Sequence, residues 1–170
     1  MQLFPLKKHP KVIVLRHAKE NIKKCSLRGL EKREDFHFLT YPKSELPDLA
    51  GYLLLTLDAP PLSQEDRNQG LFILDGTWRY VQEKLLRYVL ERQQPVCRRL
   101  PDGWRTAYPR RQPDCPLPEI GLASLEAIYA AYVVMGRDCT GLLDHYYWKD
   151  AFLEKNKAIQ TQELDLNVYT

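Results

Sequence analysis

LDGTW, residues 74–78, holds the plainest chemical opportunity in this chain: an apolar run ends on Asp75, and Gly76, Thr77 and Trp78 follow. In parallel α/β sheets ligands collect at the carboxyl ends of strands, where loops and helix starts converge. A carboxylate at that junction can accept a proton or hold a hydroxyl or imino group. Gly76 lets a ligand approach closely, and Trp78 offers a flat apolar wall. The same residues also have an account without chemistry, in which Asp75 and Thr77 cap a helix and Trp78 enters the core. On residue types alone that account is the stronger.

Three further segments carry candidate groups. Residues 15–30, LRHAKENIKKCSLRGL, join a strand end to a basic stretch containing Ser26. A hydroxyl beside free backbone amides suits a carboxylate ligand. His17 has the ring for a proton-transfer base, although a single histidine after a strand is more often structural. Residues 98–112, RRLPDGWRTAYPRRQ, mix arginines with Trp104 and Tyr108. Arginines for phosphates and aromatic rings for base stacking are what looped or single-stranded RNA recognition uses, but a proline-stiffened loop with solvated charge has the same composition. Residues 121–132, GLASLEAIYAAY, place small side chains and Glu126 at a helix start, where amides point outward and an acid complements the helix dipole.

The elements that must position these groups follow from periodicity. Residues 11–17, 37–42, 52–57 and 70–75 read as four strands, and the alternation with helical patterns predicts a parallel α/β lobe. Residues 77–94 read as a helix capped by Thr77, and 122–136 and 139–159 as two more. A basic helix is expected around Cys25 and Ser26. The tail 161–170 is polar and expected to fray or to dock late. Prolines crowd residues 95–118, which predicts a boundary near 93–100 between an α/β lobe, 1–94, and a mainly helical lobe, 95–170.

Composition removes several classes. The 170 residues are 44% hydrophobic, which excludes a disordered chain. The best apolar run, residues 128–136, is far short of the roughly 20 residues of a membrane-spanning helix. No glycine-rich phosphate or dinucleotide motif is present. Four cysteines, Cys25, Cys97, Cys115 and Cys139, form no CxxC pair, so no metal site is expected. With no apolar leader segment, the expected setting is the cytoplasm and the thiols are expected to be reduced. The net charge of +3 hides segregation: residues 1–35 hold ten basic and four acidic side chains, and residues 97–111 hold five arginines against Asp102. One positive face for a polyanion is the functional reading, and solvated helix surfaces the structural one.

Taken in order, these pieces resemble a known family. LDGTW followed by SLEA at 124–127 is similar to the DTW-domain aminocarboxypropyltransferases that modify tRNA uridine. KKCSLRGLEK at 23–32 resembles the CS-x-R-x-L segment of their relatives, the small-subunit ribosomal RNA aminocarboxypropyltransferases. TLDAPPLSQED at 56–66, Leu100–Pro101 and the TAYP at 106–109 stand in that second group's order. The likeness spans residues 12–136.

The resemblance implies a SPOUT-like parallel sheet with a knotted chain, closed by an α-helical C-terminal lobe. It implies S-adenosylmethionine bound between the lobes and transfer of its 3-amino-3-carboxypropyl group to a uridine-type base in structured RNA. By the same resemblance, Ser26, Leu57, Ala59, Leu74, Trp78, Val81, Leu100, Leu122 and Ala127 bind the cofactor, and Asp75 is the catalytic residue nearest the base. Ala59 stands where the ribosomal group has proline. The basic side chains expected on RNA are Lys23, Lys24, Arg28, Arg105, Arg110 and Arg111. Ribosomal RNA is preferred to tRNA as substrate and a monomer is expected. The rival functions are a SPOUT-type RNA methyltransferase and a non-catalytic ribosome-assembly factor.

Overall fold

The computed structural model of the protein describes residues 8–109 and 121–168. Five strands, β1 (Val12–His17), β2 (Phe36–Tyr41), β3 (Tyr52–Leu55), β4 (Gly70–Asp75) and β5 (Val96–Arg98), make one sheet in the order β2-β1-β4-β3-β5. Every pairing is parallel. The four apolar runs become the four central and flanking strands expected. β5 carries no such run: it is three residues long, follows Pro95, and is recruited only because β3 offers a free edge. It lies beyond the expected end of the first lobe, yet completes the sheet.

Alternation along the strands divides the interior into two cores. Val12, Val14, Leu53, Leu71 and Ile73 face one way and pack with Ile128, Ala131, Tyr132 and Phe152. Ile13, Leu15, Leu54 and Phe72 face the other way and pack with Leu85 and Val89. Strands covered on both faces have few polar positions to spare, hence the near-continuous hydrophobic sequence of β1, β3 and β4.

The second core is capped by a helical run over 78–92, in which α1 (Trp78–Tyr80) and α2 (Leu86–Arg92) flank a π-helical turn (Val81–Leu85). Thr77 stands at the N-cap position with extended backbone, but its side chain makes no capping bond. The first core is covered by α3 (Ser124–Val134), α4 (Lys149–Lys155) and α5 (Lys157–Val168). α5 takes in the tail through Val168 and docks it, Asn167 Nδ2 donating to Val133 O at 3.2 Å; just before the tail, Ile159 packs against the first core and Gln160 accepts the Tyr129 hydroxyl at 2.9 Å. Residues 139–148 are turns where a helix was expected, since Gly141 takes a φ of +79°.

The segment around Ser26 is not a helix either. Two 3-10 turns, Ile22–Lys24 and Leu30–Lys32, flank it; Cys25 is extended, and Gly29 has a φ of +96°. Its apolar residues are too sparse to give a helix one continuous buried stripe.

The SPOUT-like knotted chain is likewise corrected. The described residues form a five-stranded parallel α/β sheet with helices on both faces, and no knot is shown among them. That expectation came with the family resemblance, and short motifs fix local chemistry, not the threading of the chain between them. No described helix is long and apolar enough to cross a membrane.

Glu126 ties α3 to the rest of its lobe. Fully buried, its carboxylate accepts from Thr106 Oγ1 at 2.6 Å, Ala107 N at 2.9 Å, Ala123 N at 2.9 Å and Tyr146 Oη at 2.9 Å. Four donors suit an acceptor-only group, whereas a glutamine would turn its own N–H bonds toward two of them. Glu126→Gln is therefore expected to cost about 2–4 kcal/mol of unfolding free energy, read by urea denaturation with an unchanged m-value. A loss below about 0.5 kcal/mol would show that this cluster does not hold the lobe.

Candidate active site at the end of β4

Parallel pairing of β1 with β4 sets Arg16 opposite Asp75, with both side chains on the α3 face of the sheet. Both residues are buried, 8% and 4% exposed, so each needs a partner of opposite charge. Arg16 Nε donates to Asp75 Oδ2 at 3.0 Å. The other nitrogens are also engaged: Nη1 reaches Glu31 Oε1 at 3.2 Å, Nη2 reaches Cys25 Sγ at 3.5 Å, and the guanidinium lies 4.7 Å from the centre of the Phe38 ring.

Asp75 in turn gathers three elements. Besides Arg16, its Oδ2 accepts from Cys25 Sγ at 3.3 Å, and its Oδ1 accepts from Ser124 Oγ, the first residue of α3, at 2.7 Å. Ser26 Oγ accepts from Leu125 N at 3.2 Å. The strand end, the 25–26 turn and the start of α3 are thus joined by hydrogen bonds around one carboxylate. Burial first, and then the Asp75 charge, push the Cys25 thiol up to about 12, so Cys25 stays a neutral donor here. Burial and the Asp75 charge also raise Glu20 above the usual carboxylate range.

The other expected cofactor residues divide between the two faces of the sheet. Leu100 and Leu122 are half-buried at the margin of the first core, and Ala127 is half-buried on α3. Leu74 and Val81 are half-buried at the margin of the second core, and Trp78 is half-buried where α1 begins. Leu57 is 55% exposed in the loop after β3, with half-buried Ala59 beyond it. The two margins share the Asp75 end of β4.

Beside Leu57, the Thr56 hydroxyl is buried with no hydrogen-bond partner, while its backbone N–H donates to Arg98 O at 2.8 Å. A buried hydroxyl without a partner is costly. It fits a loop that meets a polar ligand. Shallow hollows elsewhere, one lined by Gln82, Leu86, Arg87, Leu90 and Glu91 and one by Tyr129 of α3 with residues of α4 and α5, include none of these residues.

Among the expected RNA contacts, Lys23, Lys24, Arg28 and Arg105 are exposed; Arg110 and Arg111 lie outside the described residues, as does Cys115. The two basic segments touch, since Tyr108 Oη donates to Lys24 O at 3.1 Å. Asn156 holds the Arg105 backbone from both sides, accepting from its N–H at 2.7 Å and donating to its carbonyl at 2.8 Å.

Four members of the site went unassigned from the sequence: Arg16, Cys25, Glu31 and Ser124. Arg16 had a readable signal. A charge inside an otherwise apolar strand pattern, VIVLRH, demands a buried counter-charge, and the nearest acid closing a neighbouring strand is Asp75.

No family model matches this chain, and no curated protein does. Among solved structures it resembles the SAM-dependent rRNA:acp-transferase Tsr3 from Vulcanisaeta distributa, with a TM-score of 0.71 at 20% sequence identity, over 92% of this chain and 83% of that one. At that identity the likeness establishes a shared fold.

Two thiols test the burial at this site and on the α3 side. Cys25 and Cys139 are both pushed up to about 12, chiefly by burial. In native protein at pH 8 their alkylation by iodoacetamide should run at least about 100-fold slower than that of free cysteine. Because the folded state holds these protons more tightly, the stability they contribute is fully present below the ordinary thiol value of 9.0 and is lost as pH rises through about 12. Rapid labelling of Cys25 in folded protein would show that the Asp75 cluster is open to solvent.

Proposed function

We propose that this protein is an S-adenosylmethionine-dependent transferase that moves the 3-amino-3-carboxypropyl group onto a uridine-type base of structured RNA. The observation that carries this reading is the convergence of Ser26, Asp75 and the start of α3 at the carboxyl end of a parallel sheet. The overall fold is similar to that of a SAM-dependent rRNA:acp-transferase. Ribosomal RNA is the preferred substrate because the CSLRGL segment at 25–30 follows the ribosomal spelling and because the solved relative is described as an rRNA enzyme.

When bound, S-adenosylmethionine supplies an electrophilic carbon attached to a positively charged sulfur. The chain has to choose which carbon is exposed. Trp78 and Val81, half-buried at the start of the helical run, would cover the methyl. Ser26 would hold the carboxylate, and Leu57, Ala59, Leu100, Leu122 and Ala127 would line the adenine, with the Leu74 backbone at the ribose. Burying one carbon and leaving another in line with an incoming atom selects the transferred group by geometry.

Asp75 serves the base. Its Oδ1 is reached through the Ser124 hydroxyl at 2.7 Å, so a proton leaving the base nitrogen can be taken at Oδ1 directly or through Ser124 Oγ. Arg16 keeps Oδ2 occupied and the carboxylate oriented. Lys23, Lys24, Arg28 and Arg105 are exposed and meet phosphates, with Arg110 and Arg111 continuing the second basic segment in the sequence. The protein acts as a cytoplasmic monomer in this reading, with residues 95–170 closing the site over residues 1–94.

Two experiments test it. With S-adenosylmethionine labelled separately in its methyl and carboxypropyl carbons, the carboxypropyl label should enter ribosomal RNA with release of 5′-methylthioadenosine. Transfer of the methyl label alone would point to a methyltransferase, and binding of RNA without either transfer to an assembly factor. Asp75→Asn, which keeps the shape of the Arg16 contact, should lower turnover at least about 100-fold while changing S-adenosylmethionine affinity, by calorimetry, less than threefold by expectation. Equal turnover would remove Asp75 from the chemistry.

A further inference from the structure

On the face of the sheet opposite Asp75, four rings gather at the carboxyl ends of β1 and β2. His17 closes β1 and Tyr41 closes β2, directly opposite each other in the ladder. Tyr80, on α1, brings its ring to 4.2 Å from His17, centre to centre, at an interplanar angle of 45°. Tyr88, on α2, stands 4.8 Å from Tyr41, and the Arg92 guanidinium sits 4.0 Å over Tyr88. All four rings are half-buried. The tyrosines pack against the second core, and His17 Nδ1 accepts weakly from Lys19 N at 3.4 Å.

Packing alone would be met by leucine at these positions, as it is at Leu39 on β2 and Leu85 below. What rings add is a π-face with polar tips at a strand-end rim. Exposed lysines border the group along the chain, Lys19 after β1 and Lys43 after β2, while Arg79, before Tyr80, is ion-paired with Glu83 at 3.1 Å. The rim is also contiguous with the catalytic end of the sheet, because Arg16, bonded to Asp75, is the residue before His17.

We propose that His17 and Tyr80, backed by Tyr41 and Tyr88, form a stacking platform for an unpaired nucleobase flanking the modified position of the RNA. This rests on the reading of the protein as an RNA-modifying enzyme and adds to it how the strand is held open. Stacking on aromatic rings tolerates any base, and neighbouring cations take the phosphate between two nucleotides. The platform therefore supplies affinity for a locally single-stranded substrate, leaving the identity of the modified base to the Asp75 side.

The test compares Tyr80→Leu and Tyr80→Phe, with His17→Leu as an independent variant, in the full chain. The probe is a short fluorescein-labelled oligouridylate, whose bases do not stack strongly on one another, followed by fluorescence anisotropy at fixed salt. Tyr80→Leu and His17→Leu should each weaken binding about tenfold, and Tyr80→Phe less than about twofold, with S-adenosylmethionine affinity unchanged in all three. Photocrosslinking of a 4-thiouridine oligomer to the unsubstituted protein should yield adducts in peptides containing His17 or Tyr80, whatever the stability of the variants.

Wild-type affinity in the leucine variants, equal losses in Tyr80→Leu and Tyr80→Phe, or crosslinks confined to other peptides would each overturn the platform. Such results with carboxypropyl transfer intact would leave the enzymatic reading standing. Absence of any transfer by the unsubstituted protein, with oligouridylate binding present, would count against that reading and not against the platform.

Discussion

The buried pair between Arg16 and Asp75 is the contact on which the candidate site at the end of β4 depends. Neither charge is free to sit where it does alone: moving an ion out of water costs several kcal/mol, by the order of magnitude known for proteins, and Coulomb attraction offsets this only when the remaining donors and acceptors are also met. Here they are met by Glu31, Cys25 and Ser124. The pair does more than neutralise itself. It holds the 25–26 turn and the first turn of α3 against the end of the sheet, so the three chain segments that would embrace a ligand share one electrostatic centre. A protein using this interaction only for stability would do as well with apolar residues of similar volume, which makes its location at a strand end with an adjacent hydroxyl informative.

The sheet itself explains why the site has two sides. Alternation sends Asp75 and Arg16 toward α3, and Leu74 and His17 toward the helical run over 78–92. A ligand at the carboxyl edge of β4 meets both surfaces. The π-helical turn lies where the second of these surfaces comes closest to the strand end, with Val81 Cγ2 at 3.4 Å from where a Cβ on Gly76 would stand. A methyl at position 76 would stand in ordinary contact with that turn, leaving little room for a longer side chain.

A second buried carboxylate, Glu126, performs the corresponding task for the helical lobe. It pins the loop at 106–107, the start of α3 and Tyr146 to one another, and that loop carries Tyr108, whose hydroxyl reaches the carbonyl of Lys24. The two basic segments, far apart in sequence, meet through this chain of contacts. The segregation of charge visible in the composition becomes, between Lys24 and Tyr108, a spatial neighbourhood. It also explains the composition of the loop: Thr106 supplies a hydroxyl that donates to Glu126 while accepting from Tyr108 N at 3.0 Å, a double duty that an aliphatic residue could not perform.

By itself the sequence determined the local parts. Short apolar runs such as VIVL and GLFIL read as strands covered on both faces, and LDGTW and SLEA stand here at a strand end and a helix start. Asp75 and Ser26 were legible as candidates because their chemistry is a property of the residue and its immediate neighbours. Tertiary structure decided everything that depends on register and on distance between segments. Arg16 finds Asp75 because two parallel strands align at a particular offset. β5 exists because β3 has an open edge, α5 is helical because the first core accepts Ile159, and the 25–26 turn takes its shape from the cluster it joins. Knotting, expected from resemblance, was never encoded in those motifs, since short-range patterns say nothing of how a chain is threaded. Interactions within a few residues act through propensity and can be read along the chain. Those across 50 residues or more, as between Cys25 and Asp75, arise only when burial brings the partners together.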